Sequence, residues 1–188
     1  MAMTSERRPP RPLPRPLDAE ALDRLALRYV ERFATTRGKL ADYLRRKVRE
    51  RGWSGPPADP HGIAERMADL GYIDDRLYAE SKAASLARRG LGARRVSAVL
   101  RAAHVADEAE ALAPAIQAEA RAAALIFARR RRIGPFGPPV EDRAVRERQL
   151  AAMLRAGHPL DLSRQILAAR DLAEIDDGDV VVPNDYEM

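Results

Sequence analysis

The chain has 188 residues, 46% hydrophobic but only 5% aromatic, with no cysteine and a formal net charge of +5. These figures exclude a disulfide framework, a thiolate nucleophile and any cysteine-ligated zinc or iron–sulfur site. No uncharged stretch reaches the roughly 18–20 apolar residues that a membrane span requires, and the basic, Pro-rich start has no apolar segment behind it to make a secretory signal. A monomeric cytoplasmic protein with no membrane association is expected.

Charge is unevenly placed. Residues 1–17 mix Pro with four Arg and carry +3, a composition that predicts a disordered, polyproline-like tail. Residues 174–188 carry six acids and no base, which predicts a second, acidic tail. Between the two, residues 18–173 hold about +8, so the expected folded body is more basic than the whole chain.

Within that body the apolar period is helical. Leu22, Leu25, Ala26, Tyr29, Val30 and Phe33 recur at three- and four-residue spacings behind Asp18, a suitable N-cap. After Gly38, a second helix carries Leu40, Tyr43, Leu44 and Val48 and closes on Gly52. A Gly- and Pro-rich loop follows, then a short helix on Ile63, Met67 and Leu70 that stops at Gly71. Asp74 and Asp75 suit the start of a helix over 76–89, which Gly90 and Gly92 interrupt. Val96, Val99, Leu100 and Ala103 define the next helix, with a short one near 106–112. A helix from Pro114 to the Arg129–Arg132 run, another through Leu150, Met153 and Leu154 to Gly157, and a last one over 161–172 complete the series.

An offset of 52 places Leu44, Val48 and Arg49 on Val96, Leu100 and Arg101, and an offset of 54 places Leu150, Leu154 and Arg155 on the same three. The expectation is therefore an all-α fold of three tandem three-helix repeats in an elongated, curved array. Its repeats cover residues 18–71, 72–112 and 113–173, flanked by the tails at 1–17 and 174–188.

The polar residues point to binding rather than chemistry. Arg45, Arg46 and Arg49 oppose the apolar face of one middle helix, and Arg94, Arg95 and Arg101 oppose that of its counterpart. Such faces suit phosphates or acidic protein patches, although a solvated charged face has the same composition. Arg129, Arg130, Arg131 and Arg132 spread around their helix and also suit the negative end of its dipole. His61, His104 and His158 lack metal-ligand spacing, and the pairing of His104 with His158 at equivalent helix ends favours a shared structural role. No serine has a neighbouring His–Asp constellation, so no catalytic residue, metal or cofactor is expected. Trp53, just beyond Gly52, is expected to pack against its own helix.

One segment is more particular. Gly71-Tyr72-Ile73-Asp74-Asp75, followed by Tyr78-Ala79, resembles the signature of RecX regulatory proteins. Arg88-Arg89-Gly90-Leu91-Gly92-Ala93-Arg94-Arg95-Val96 is similar to that family's basic, Gly-containing segment, and Leu44–Val48 closing on Gly52-Trp53 resembles its first-repeat motif. The resemblance is close over residues 20–105 and loose over 111–172. The second unit departs from it at Ala102-Ala103-His104-Val105, and the third has Gly157-His158 where the family has Gly-Phe.

The resemblance implies a non-enzymatic protein of three-helix repeats that binds the RecA recombinase filament. It would restrain filament growth, ATP hydrolysis, strand exchange and SOS coprotease activity, with direct binding to single- or double-stranded DNA in some members. Arg45, Arg46, Arg49, Arg88, Arg89, Arg94, Arg95, Arg101 and Arg129–Arg132 are the expected contacts, and the signature residues from Gly71 to Ala79 are structural. The alternative from the residues alone is a helix-turn-helix-like DNA-binding transcriptional regulator. Its base-reading Asn and Gln are scarce here, with only Gln117, Gln149 and Gln165 in the body.

Overall fold

The computed structural model describes residues 15–175, and the remainder of both expected tails lies outside the described residues. The described residues are all-helical, with ten α-helices, two 3₁₀ turns and no strand. The chain divides into two compact units, Met1–Ile73 and Asp74–Met188.

The first unit contains α1 (Ala19–Val30), α2 (Arg37–Arg51) and α3 (Pro60–Asp69). Each starts on a side chain that accepts a backbone N–H left over by the first turn. Asp18 accepts from Ala21, Thr36 from Lys39 and Asp59 from Gly62. The buried Thr36 cap starts α2 ahead of Gly38, which therefore lies in the first helical turn rather than before it. Leu22, Leu40, Leu44, Ile63 and Met67 form the core of this unit. Leu17, expected to close the tail, is instead fully buried there. Its N–H donates to Gly52 O at 2.9 Å and its carbonyl accepts from Ser54 at 2.8 Å, which fixes it beside Trp53. Trp53 is half-buried against the same core and donates its indole N–H to Pro56 O.

The second unit runs α4 (Asp75–Arg88), α5 (Ala93–Arg101), α6 (Ala106–Ala111), α7 (Ala113–Ala118), α8 (Ala120–Arg131), α9 (Arg143–Arg155) and α10 (Leu160–Ala168). It has two apolar clusters, one around Leu86, Val96, Leu100 and Val105, the other around Leu125, Ile133, Met153 and Ile166. The single helix expected from Pro114 to the arginine run is two helices, broken at Glu119. Pro114, which has no N–H to donate to α6, sits in the first turn of α7; the break at Glu119 has no explanation in the packing. The last helix also ends early, at Ala168.

The ends of α5 and α9 correct the sequence register. Both close by the same pattern, a left-handed residue followed by an N–H that reaches back five residues. His104 (φ +61°) precedes Val105, which donates to Leu100 O at 3.2 Å. Gly157 (φ +95°) precedes His158, which donates to Met153 O at 3.2 Å. His104 therefore corresponds to Gly157, and buried His158 to buried Val105. The expected pairing of the two histidines does not hold. Met153, not Leu154, takes the place of Leu100, an offset of 53 instead of 54. The cause is physical: the cap places the residue after the left-handed position inward whatever its polarity.

At the head of α4, Asp74 Oδ1 accepts from Leu77 N–H at 2.8 Å. Asp74→Ala should lower stability by about 1 kcal/mol, and urea denaturation of the two proteins at one pH would measure it.

A candidate cationic interface

In the second unit the turn between α4 and α5 meets the turn between α9 and α10. Gly92 N–H donates to Ala156 O at 2.9 Å, and Arg94 N–H donates to Gly157 O at 3.3 Å. His158 Nε2 lies 3.1 Å from Gly90 O. This approach needs glycine on both sides. A Cβ on Gly92 would lie 2.4 Å from the carbonyl of Gly157, and one on Gly157 would lie 2.5 Å from Arg95 N.

The contact gathers arginines from four helices. Arg88 and Arg89 end α4, Arg94 and Arg95 begin α5, Arg129–Arg132 end α8 and Arg155 ends α9; all are exposed. Arg130 has a structural task, donating to Arg89 O at 3.0 Å and Arg88 O at 3.4 Å, so it caps the end of α4 rather than that of its own helix. Arg131 lies 5.9 Å from the centre of the Phe127 ring, and Arg132 takes the left-handed position that closes α8. Among the described residues no carboxylate lies within salt-bridge distance of any of these arginines, nor of Arg101. Arg94 and Arg95 also stand in the first turn of α5, at the positive end of its dipole, where they oppose it. That placement gains nothing for the helix and suits an anionic partner.

The α2 face in the first unit is different. Arg45 pairs with Asp42, and Arg46 lies 3.6 Å from Glu50, which also accepts from Lys47 at 2.7 Å. The hydrogen bond from Lys47, with the charges of Lys47, Arg46 and Arg49, holds the Glu50 carboxyl below its usual range. Arg49 is exposed and, among the described residues, has no carboxylate within salt-bridge distance, though its charge is felt by Glu50. Two of the three expected α2 contacts are thus within salt-bridge distance of a carboxylate.

Sequence reasoning missed two features. Arg155 belongs to the junction but was visible only as a repeat marker. Tyr29 and Tyr43, read as core positions, stack at 4.3 Å, and Phe33 lies 5.2 Å from Tyr29. Phe33 falls beyond the end of α1 and is 51% exposed. Arg32 lies over Phe33, and Arg46 and Lys47 over Tyr43, at 5.6 to 5.8 Å. The result is an aromatic–cationic patch on the first unit.

Gly71 (φ +80°) ends α3, Tyr72 N–H donates to Met67 O at 2.9 Å, Ile73 and Ala79 are buried, and Asp74 caps α4. Tyr72 is itself half-exposed. Among the described residues no helix is long and apolar enough to cross a membrane, and no three His, Asp or Glu are grouped to hold a metal.

His158 supplies a measurable consequence. Gly90 O can only accept, so Nε2 carries the proton, and buried Nδ1 has no hydrogen-bond partner among the described residues. Burial, partly offset by the Gly90 hydrogen bond, pushes the imidazole pKa below its ordinary 6.5. The unfolded chain therefore takes up the proton first. The stability that neutral His158 contributes should be complete above about pH 6.5 and fall as pH drops toward the folded-state value. Chemical denaturation at stepped pH should show this slope, and His158→Leu should remove it.

The chain is 32% identical over 174 residues to the regulatory protein RecX of Myxococcus xanthus (strain DK1622), spanning 86% of this chain and 91% of that protein. It is 29% identical over 147 residues to the regulatory protein RecX of Agrobacterium fabrum (strain C58 / ATCC 33970), spanning 76% and 79%. The chain belongs to the RecX family of regulatory proteins. No family model and no solved structure matches it.

Proposed function

We propose that this protein is a non-enzymatic, cytoplasmic regulator that binds RecA recombinase filaments and restrains their growth, ATP hydrolysis, strand exchange and SOS coprotease activity. Family membership supports the regulatory part of this reading. The observation that carries the binding part is the α4–α5 junction, where exposed arginines from four helices converge with no carboxylate of the described residues within salt-bridge distance. A filament of protein and nucleic acid is a long anionic target, and steering by such a surface makes association fast and salt-sensitive.

The three apolar clusters and the matching ends of α5 and α9 support three tandem three-helix repeats, which would offer a filament a series of cationic helix faces. The aromatic–cationic patch around Phe33 adds a surface on which an unpaired base could stack, should direct DNA contact form part of the interaction.

RecA ATP hydrolysis on single-stranded DNA is the direct test. Hydrolysis should fall at far fewer than one copy of this protein per RecA. Unchanged hydrolysis and unchanged filament length at saturation would overturn the reading.

A further inference from the structure

We infer that a cavity in the second unit is a protein anchor site: it takes one large apolar side chain whose neighbour in the partner's chain is positively charged. The cavity, about 190 Å³, lies between α4, α5, α7 and α8. Ala83, Val96, Ala120 and Ala123 form its buried floor, while Ala84, Ala115 and Glu119 are exposed at its mouth. It persists because α4 and α8 are pinned to each other. Gly90, two residues past α4, approaches α8 so closely that a Cβ there would lie 2.8 Å from Phe127 N. Arg130 of α8 also holds the carbonyls of Arg88 and Arg89. With that spacing set, alanine side chains are too short to fill the gap, and an empty apolar cavity costs stability.

Size, polarity and charge select the occupant. A cavity of this order holds one ring-sized group and falls short of the roughly 300–1,000 Å³ that small-molecule clefts reach. It fits a single anchor side chain, the form in which protein partners concentrate binding energy. Among the described residues the only charged groups that line it are the carboxylates of Glu80 and Glu119. Glu80 already pairs with Arg76 at 2.9 Å. Glu119 has no cation within salt-bridge distance among the described residues, and the stretch 106–119 carries four acids and no base. A phosphate or an anionic lipid would be repelled here, and a Lys or Arg beside the anchor would be drawn in. None of the junction arginines lines the cavity, so the two surfaces divide the work: one takes the anionic part of a partner, the other a cationic protein segment. That the protein is RecA rests on the function proposed for the chain.

Amide NMR of the full chain with N-acetyl-Phe-Lys-amide as the probe should move Ala84, Ala115 and Ala120. The Ala-Lys analogue should move none of them, and the Phe-Glu analogue should bind about fivefold more weakly. Ala115→Leu, or Ala84→Leu from α4, fills the cavity and should abolish the shifts without lowering the urea midpoint. Glu119→Gln should remove the preference for Lys over Glu. Shifts that survive both filling substitutions, or equal binding of the Lys and Glu peptides, would overturn the site. Filling should also weaken inhibition of RecA ATP hydrolysis about tenfold, with binding to single-stranded DNA unchanged. Full inhibition by the filled variants would overturn the anchor. No inhibition by the unsubstituted protein would overturn the functional reading and leave the peptide site standing.

Discussion

Arg94→Glu combined with Arg95→Glu should weaken binding to RecA filaments by about a hundredfold, the effect expected from converting two desolvated cationic contacts into repulsive ones. Both side chains are exposed and neither packs in a core cluster, so the fold should survive, and circular dichroism can verify that it does. The backbone N–H of Arg94, which donates across the junction to Gly157 O, is untouched by the substitution. Inhibition of RecA ATP hydrolysis, titrated at two salt concentrations, gives the measurement. Arg7→Glu with Arg8→Glu is the reference, because it makes the same change in net charge. Equal effects from the two pairs would mean that charge alone, and not the junction, sets the affinity.

Gly157→Val should strongly destabilise the second unit. Its φ of +95° is strained for a β-branched residue, and the new Cβ would fall 2.5 Å from Arg95 N. Strain and overpacking each cost about 1–3 kcal/mol. Gly71→Val separates the two terms: Gly71 has φ +80° but nothing within 4 Å of the Cβ position, so it should show only the strain. The difference in urea midpoint between the two variants then reports the closeness of the turn–turn contact. If Gly71→Val costs as much as Gly157→Val, that contact contributes nothing to stability. Loss of RecA inhibition should follow Gly157→Val even under conditions where the protein remains folded, because Arg155 and the α5 start would separate.

Helix starts were legible from sequence wherever a carboxylate sat before an apolar run. Asp18 and Asp74 cap as expected because the signal is local: one side chain, one N–H three residues on. The exposed character of the arginines was equally readable from the period. Features set by tertiary contact were not. His158 looks like a polar helix terminator, but the left-handed Gly157 turns it inward onto Gly90, a residue 68 positions away. Leu17 sits in a Pro/Arg composition that reads as a tail, yet two backbone hydrogen bonds to Gly52 and Ser54 hold it in the core. Arg130 was one of four identical neighbours, and only the position of α4 assigns it to capping. Phe33 follows the apolar spacing of α1, and only the end of that helix at Val30 shows why it reaches solvent. The gathering of Arg88, Arg94, Arg130 and Arg155 depends on contacts between segments about 40 to 70 residues apart, a scale on which periodicity carries no information.

The same separation orders events during synthesis. Gly92 cannot meet Gly157 until the residues between them have been made, which takes roughly 3–13 s at about 5–20 residues per second. Over that interval α4 and α5 can form, but their arginines lack the turn that aligns them. A growing chain therefore exposes loose positive charge first and a shaped surface only once Gly157 has been made. A chain truncated before α9 would keep the arginines of α4, α5 and α8 and lose the turn–turn contact that arranges them.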